Sequence, residues 1–136
     1  MHTYKHQVQY YETDKMKFTH HSNYIRFMEE ARVDFLQYIG WSYDKLEEMG
    51  IISPVIQVHV DYKKSTTFPD IIDIETHVLH YKGTRLELEY TMRVDNEIVA
   101  YGTSQHCFLN EAGRPIILKK QFPEFHQVLE DLCSNK

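Results

Sequence analysis

Apolar and polar positions alternate along most of this chain, and one stretch near the N-terminus replaces that alternation with a helical period. From Thr3 to Tyr11, the residues Tyr4, His6, Val8 and Tyr10 fall on one side and Lys5, Gln7 and Gln9 on the other. That predicts a strand with one wet face. Residues 12–21 are polar and carry no period, which predicts a loop of about ten residues, a length at which loops are often functional. From Asn23 to Ile39 the period changes. Tyr24, Phe27, Met28, Ala31, Phe35, Tyr38 and Ile39 recur at three- and four-residue steps, with Arg26, Glu29, Glu30 and Gln37 on the opposite face, as in an amphipathic helix. Ser22 or Thr19 is placed to cap its start, and Gly40 stands where a C-terminal glycine belongs. Tyr43 to Met49 predicts a short second helix before Gly50.

Four strands follow. Ile56, Val58, Val60 and Tyr62 alternate with polar residues, then Ile72, Ile74, Thr76 and Val78, then Leu86, Leu88, Tyr90, Met92 and Val94, the cleanest pattern in the chain. Asp95-Asn96 fits a two-residue type I′ hairpin turn. Ile98 to Leu109 is the last long strand, and Gly102 inside it marks a bulge or a close approach of another element. Turn chemistry at 111–115 leads to a tail helix from Phe122 to Cys133. One strand, one long helix and a run of strands joined by short turns predict an α+β domain spanning residues 1–136. Its economical form is a curved antiparallel sheet wrapped around the long helix.

Composition narrows the function classes. The 136 residues include 20 acidic and 15 basic side chains, a net charge of −5. That argues against a nucleic-acid binder that works by overall charge. No apolar run is long enough for a membrane-spanning helix, and residues 1–14 lack the apolar core of a signal peptide. The two cysteines, Cys107 and Cys133, have no metal or redox spacing, so a cytoplasmic, thiol-reduced protein is expected. There is no Gly-x-Ser-x-Gly elbow, no glycine-rich phosphate loop and no His-Glu-x-x-His helix. His106 and Cys107 are strand neighbours and point to opposite faces. Glu12, Asp14 and His21 form the nearest approach to a metal set, but loop carboxylates more often cap turns.

The informative segment runs from Tyr10 to Tyr24, YYETDKMKFTHHSNY. Asp14 lies in a loop seven residues before His21, which opens the long helix. Helix N-termini present free N–H groups and a partial positive charge, so a carboxylate facing one has the elements of an acyl-transfer site: a base or nucleophile and an oxyanion stabiliser. A turn or capping role for Asp14 is the bland alternative.

The segments Tyr11-Glu12-Thr13-Asp14, His21-Ser22-Asn23-Tyr24 and Arg26-Phe27-Met28-Glu29-Glu30-Ala31-Arg32 resemble the hotdog-fold acyl-CoA thioesterases, in particular the 4-hydroxybenzoyl-CoA thioesterase and YbgC-like group. The run from Val60 to Lys64, Gly102 before the His106-Cys107-Phe108 strand end, and Gly113-Arg114-Pro115 extend the likeness over nearly the whole chain. The resemblance implies a sheet curled round one helix and hydrolysis of an acyl-CoA or an acyl group on a carrier protein. It implies that Asp14 is the catalytic aspartate, attacking the thioester carbonyl or activating water, and that His21 orients or stabilises the reacting group. Backbone N–H groups around His20, His21 and Ser22 would polarise the carbonyl, with Tyr10 in support. Asn23 and Tyr24 match positions near the acyl pocket, and Lys63, Lys64 and Ser65 match CoA-contacting positions. Two departures stand out. Relatives commonly carry a glycine in the loop after the aspartate, where this chain has Met16-Lys17-Phe18. Residues 65–70 also differ from the family pattern.

The expectation is therefore a thioesterase needing no metal or redox cofactor, with coenzyme A only as part of substrate and product. Tyr24, Phe27 and Met28 are candidates to line an acyl slot. The rivals are a non-catalytic hotdog module that binds acyl thioesters or assembles with partners, a dehydratase of the same fold, and a purely structural dimerisation protein. A single curled sheet leaves edges exposed. A homodimer is the expected minimum and the family pattern points to a homotetramer; if Lys63 and Asp14 serve one site, different subunits are expected to supply them.

Overall fold

The computed structural model describes residues 2–134. Strand β1 (Thr3–Gln7) leads through a 3-10 turn (Tyr10–Glu12) and a loop into helix α1 (Asn23–Tyr38), followed by α2 (Tyr43–Glu48). Strands β2 (Val55–Tyr62), β3 (Ile71–Tyr81), β4 (Arg85–Val94) and β5 (Glu97–Cys107) come next, then α3 (Leu118–Gln121) and α4 (Pro123–Ser134). The five strands form one antiparallel sheet in the order β1-β3-β4-β5-β2. With α1 against its inner face, this is the hotdog layout the sequence predicts.

The alternations of β3 and β4 translate directly into burial. Ile72, Ile74, Thr76 and Val78, and Leu86, Leu88, Tyr90 and Met92, all face the core. Tyr24, Phe27, Met28, Ala31, Phe35 and Leu36 of α1 close over them. Each large side chain so covered contributes about 1.5–3 kcal/mol. The β4–β5 turn has φ +50° at Asp95 and +67° at Asn96, as a type I′ turn requires. Gly102 is a close-approach point rather than a bulge. A Cβ there would lie 2.9 Å from the Met28 sulfur, so its absence lets α1 settle onto β5. Gly40, at φ +90°, ends α1 as expected, its N–H donating to the Gln37 carbonyl.

Four expectations change. β1 ends at Gln7, and Tyr10 lies in the 3-10 turn, 77% exposed, instead of facing the core. The cause is Glu12, whose buried carboxylate reaches back to the Gln9 N–H and closes the turn. Tyr38 is exposed and stacks on His2, while the inner stripe of α1 takes Leu36 and the buried Arg32 instead. Neither Ser22 nor Thr19 caps α1. The Ser22 hydroxyl bonds the His20 ring, and that of Thr19 bonds Thr66. Along β2 only Val58 and Val60 pack on the core, because a bulge between Val55 and Gln57 turns Ile56 outward and the strand lies at the sheet edge.

Candidate active site

The loop between β1 and α1 is a small hairpin. Thr13 and Thr19 form an antiparallel bridge. Inside it the Asp14 N–H donates to the Phe18 carbonyl at 2.7 Å, and the Lys17 N–H donates back to the Asp14 carbonyl at 2.9 Å. Asp14 completes the turn with its side chain, Oδ1 accepting from the N–H groups of Met16 at 2.8 Å and Phe18 at 3.2 Å. Such a turn is what an aspartate two residues from a bend favours. The second carboxylate oxygen has no partner among the described residues. Lys17 adopts φ +69°, a left-handed conformation that favours glycine.

Asp14 opens onto a cleft of about 860 Å³. Tyr10, Tyr11 and Phe68 supply apolar walls, with Lys15, Lys17 and Thr67 at its edges. Tyr10 and Phe68 meet edge to face at 6.0 Å. The segment after β2 is tied to the loop by the Thr67 hydroxyl on the Lys17 carbonyl and the Thr19 N–H on the Thr66 carbonyl. Beneath these lies a buried hydroxyl chain from Tyr24 through Thr66 to Thr19, at 2.8 and 2.6 Å.

His21 lies elsewhere. Together with Tyr24, Tyr62, Lys63, Lys64 and Ser65 it lines a second, smaller cleft of about 230 Å³. Its ring stacks on His20 at 4.3 Å and meets the Tyr62 ring edge-on at 6.2 Å. The Tyr62 hydroxyl donates to the His21 carbonyl at 3.0 Å. Burial raises the Tyr62 phenol above its ordinary pKa, so it stays a neutral donor at physiological pH. The sequence motif therefore distributes its chemistry over two clefts of the chain: Asp14 and Tyr10 in the larger, His21, Tyr24, Lys63, Lys64 and Ser65 in the smaller. The hairpin is the reason, since it carries Asp14 away from the start of α1.

The three N–H groups expected to polarise a carbonyl are not equivalent. That of His20 donates to the Glu12 carbonyl at 2.8 Å, and that of Ser22 lies 3.2 Å from the His20 ring nitrogen. The His21 N–H has no acceptor among the described residues and is the one left free. Asn23 spends its side-chain amide on the Glu12 carbonyl at 2.9 Å, a structural duty. Tyr24 is 3% exposed and its hydroxyl is taken by Thr66, so it underlies the smaller cleft more than it opens into it. Phe27 and Met28 belong to the core. The Lys63 and Lys64 N–H groups both reach the Val99 carbonyl, and the Lys64 ammonium pairs with Glu97, whereas the Lys63 ammonium has no partner among the described residues.

The candidate metal set does not assemble. Glu12 turns inward to His6 and Gln9, and among the described residues no three His, Cys, Asp or Glu side chains are placed to hold an ion. Glu12 is instead a buried carboxylate with a structural duty. It is 2% exposed, and its spacing from Gln9 is that of a capping box, the signal that identifies it in the sequence.

Comparison with known proteins adds to this geometry. Residues 8–131 match the family model of the thioesterase-like superfamily. A Bacillus subtilis (strain 168) protein provisionally named acyl-CoA thioesterase YneP is 31% identical over 126 residues, covering 91% of each chain. The Escherichia coli O157:H7 protein named acyl-CoA thioester hydrolase YbgC is 27% identical over 106 residues, covering 78% of this chain and 72% of that one. Among solved structures, a DHNA-CoA thioesterase from Staphylococcus aureus superposes with a TM-score of 0.92 at 32% identity, covering 97% of this chain and 90% of that one.

Proposed function

The chain belongs to the thioesterase-like superfamily, and from that premise we propose that it hydrolyses an acyl thioester of coenzyme A, or of a carrier protein, to a free acid and a thiol. The observation that carries the reading is the Asp14 carboxylate: one oxygen is immobilised by two backbone N–H groups and the other is unspent at an aromatic-walled cleft. A thiol is a good leaving group, so the reaction asks for a positioned base and a polarised carbonyl more than for strong acid help. On one route Asp14 takes a proton from a water molecule as that water attacks the carbonyl carbon, the C–S bond breaks, and the departing thiolate takes up the proton. On the other Asp14 attacks the carbonyl carbon itself, the C–S bond breaks to leave an acyl–aspartyl anhydride, and water then hydrolyses the anhydride to the free acid and supplies the proton that the thiolate takes up. No metal or redox cofactor enters this scheme.

Asp14 and His21 stand in separate clefts of one protomer, and this supports a site completed across a subunit boundary. In the proposed homodimer, the smallest unit of a homotetramer, Asp14 and Tyr10 of one protomer face His21, Ser22, Lys63 and Ser65 of the other. The exposed β2 edge, with Val55, Ile56 and Tyr62 each about half exposed, supports such an association. The His21 N–H is the proposed oxyanion donor and Lys63 the proposed contact for coenzyme A phosphate. The free thiols of Cys107 and Cys133 fit a cytoplasmic location.

A second reading, a non-catalytic hotdog module that binds acyl thioesters, is favoured by one observation: Oδ1 of Asp14 already does a turn residue's work. Thiol release from a panel of acyl-CoAs separates the two. Asp14→Asn keeps the Oδ1 acceptor and the turn while removing the charge. The enzyme reading expects a folded variant with kcat at least about 100-fold lower. An equally active variant, or a wild type that turns over no thioester, supports the binding module.

A further inference from the structure

Glu12 occupies an unusual place for a carboxylate. It is 2% exposed at the end of the 3-10 turn, two residues before Asp14. A buried charge persists only where partners hold it, and here they come from the turn itself and from β1, with α1 meeting the far side of the same imidazole. Oε1 of Glu12 accepts the Gln9 N–H at 2.8 Å and faces Nε2 of His6, on β1, at 2.9 Å. The other ring nitrogen of His6 faces Glu30 of α1 at 3.1 Å, and the Tyr4 hydroxyl donates to the same Glu30 oxygen at 2.7 Å. The His6 ring lies against Phe27, 4.1 Å between centroids, which fixes its plane. The backbone of Glu12 does equal service. Its carbonyl accepts the His20 N–H at 2.8 Å and the Asn23 amide at 2.9 Å, joining the turn to the start of α1.

We propose that Glu12 is a positioning residue that sets where Asp14 points. The side chain pins the 3-10 turn to β1 and, through His6 and Glu30, to α1, while its carbonyl pins the same turn to the helix start. The hairpin carrying Asp14 leaves directly from this clamp, with Thr13 paired to Thr19 as its first rung. None of the four clamp groups, Tyr4, His6, Glu12 and Glu30, lines the cleft at Asp14, so the clamp acts through Asp14 rather than on substrate. The inference rests on the thioesterase reading for its kinetic arm and is independent of it for its structural arm. A displacement of about 1 Å at a reacting group costs up to about 100-fold in rate, which gives the scale of the expected effect.

The test uses full-length wild type, Glu12→Ala, Glu12→Gln, Asp14→Asn and the double variant Glu12→Ala/Asp14→Asn. Amide hydrogen exchange is read at Met16, Phe18 and His20, and thiol release from the best acyl-CoA of the panel gives kcat and KM. Glu12→Ala is expected to speed exchange at those three amides at least about tenfold, leaving the β3–β4 amides unchanged, and to lower kcat about 10- to 100-fold with KM within about threefold. Glu12→Gln, which keeps an acceptor for the Gln9 N–H, recovers part of both and serves as the folded comparison if Glu12→Ala does not fold. The double variant is expected to be no slower than Asp14→Asn alone, because a displaced but inert side chain costs nothing further. Unchanged exchange at the three amides in both Glu12 variants overturns the clamp. Faster exchange with unchanged kcat, or additive loss in the double variant, overturns the positioning role. Failure of the thioesterase reading shows separately, as full activity in Asp14→Asn.

Discussion

His106 links the core of this protein to pH. The ring lies on the inner face of β5, 1% exposed, with Nε2 bonded to the Ser104 hydroxyl at 2.7 Å and Nδ1 without a partner among the described residues. Burial, and after it the Arg32 guanidinium, lowers its pKa from 6.5 to about 3. The ring is therefore neutral in the folded protein across the range where an unfolded chain protonates it. The sign follows from linkage: above pH 6.5 both states are neutral and the residue adds no pH dependence, whereas below it only the unfolded state takes the proton, so stability falls as pH falls. The slope is about 1.4 kcal/mol per pH unit, which amounts to about 2 kcal/mol at pH 5 and on the order of 5 kcal/mol by the folded-state pKa. His106→Gln removes the titration while keeping a polar partner for Ser104. Urea unfolding of both proteins at pH 7.5 and pH 5.0 isolates the effect, because the carboxylates common to both cancel in the difference. The wild type should lose about 2 kcal/mol more than the variant over that interval. Equal losses would refute the argument and mean that His106 titrates normally, through water reaching Nδ1 or movement of Arg32.

Two further expectations come from backbone and hydroxyl chemistry near the site. Lys17 sits at φ +69°, a region that costs L-residues about 1–2 kcal/mol. Against the greater unfolded-state freedom of glycine, Lys17→Gly should still stabilise by about 0.5–1 kcal/mol, read as a rise of a few degrees in Tm; a lower Tm would show that the lysine side chain holds the turn. Thr66→Val is nearly isosteric but leaves the buried hydroxyls of Tyr24 and Thr19 unpaired. It should destabilise by about 1–3 kcal/mol in denaturant unfolding, and a neutral result would mean that the two hydroxyls re-pair directly.

The parts of the fold that were legible in the sequence are those set by local repetition. A strand with neighbours on both sides has one covered face, so the alternations of β3 and β4 map residue by residue onto burial. The helical period of α1 and the Asp95-Asn96 turn were legible for the same reason, since each depends on a few adjacent dihedral angles. β5 was less so, because its inner face is built of Gly102, Ser104 and His106, chosen to fit Met28 and Tyr90 rather than for apolarity. Tyr10 and Tyr38 show the opposite failure: both are apolar and in phase, yet exposed, since nothing in the period records that Glu12 folds back under the turn or that α1 presents Leu36 instead.

For the site, the sequence by itself determined the cast: an aspartate in a loop, a histidine at a helix start, and lysines beyond a strand. Only the tertiary structure decided their grouping. Asp14 and His21 are seven residues apart, but hydrogen bonds across the hairpin and from residues 66–67 set them in different clefts. Lys64 is paired with Glu97, 33 positions away, while the Lys63 ammonium has no partner among the described residues. Glu12 owes its place to His6, which reaches it from β1, and to Glu30 of α1, which meets the other nitrogen of the same ring. Facing and turn chemistry are short-range properties written into neighbouring residues. Which charged groups meet, and which are left free for chemistry, depends on long-range packing that no single stretch of this sequence contains.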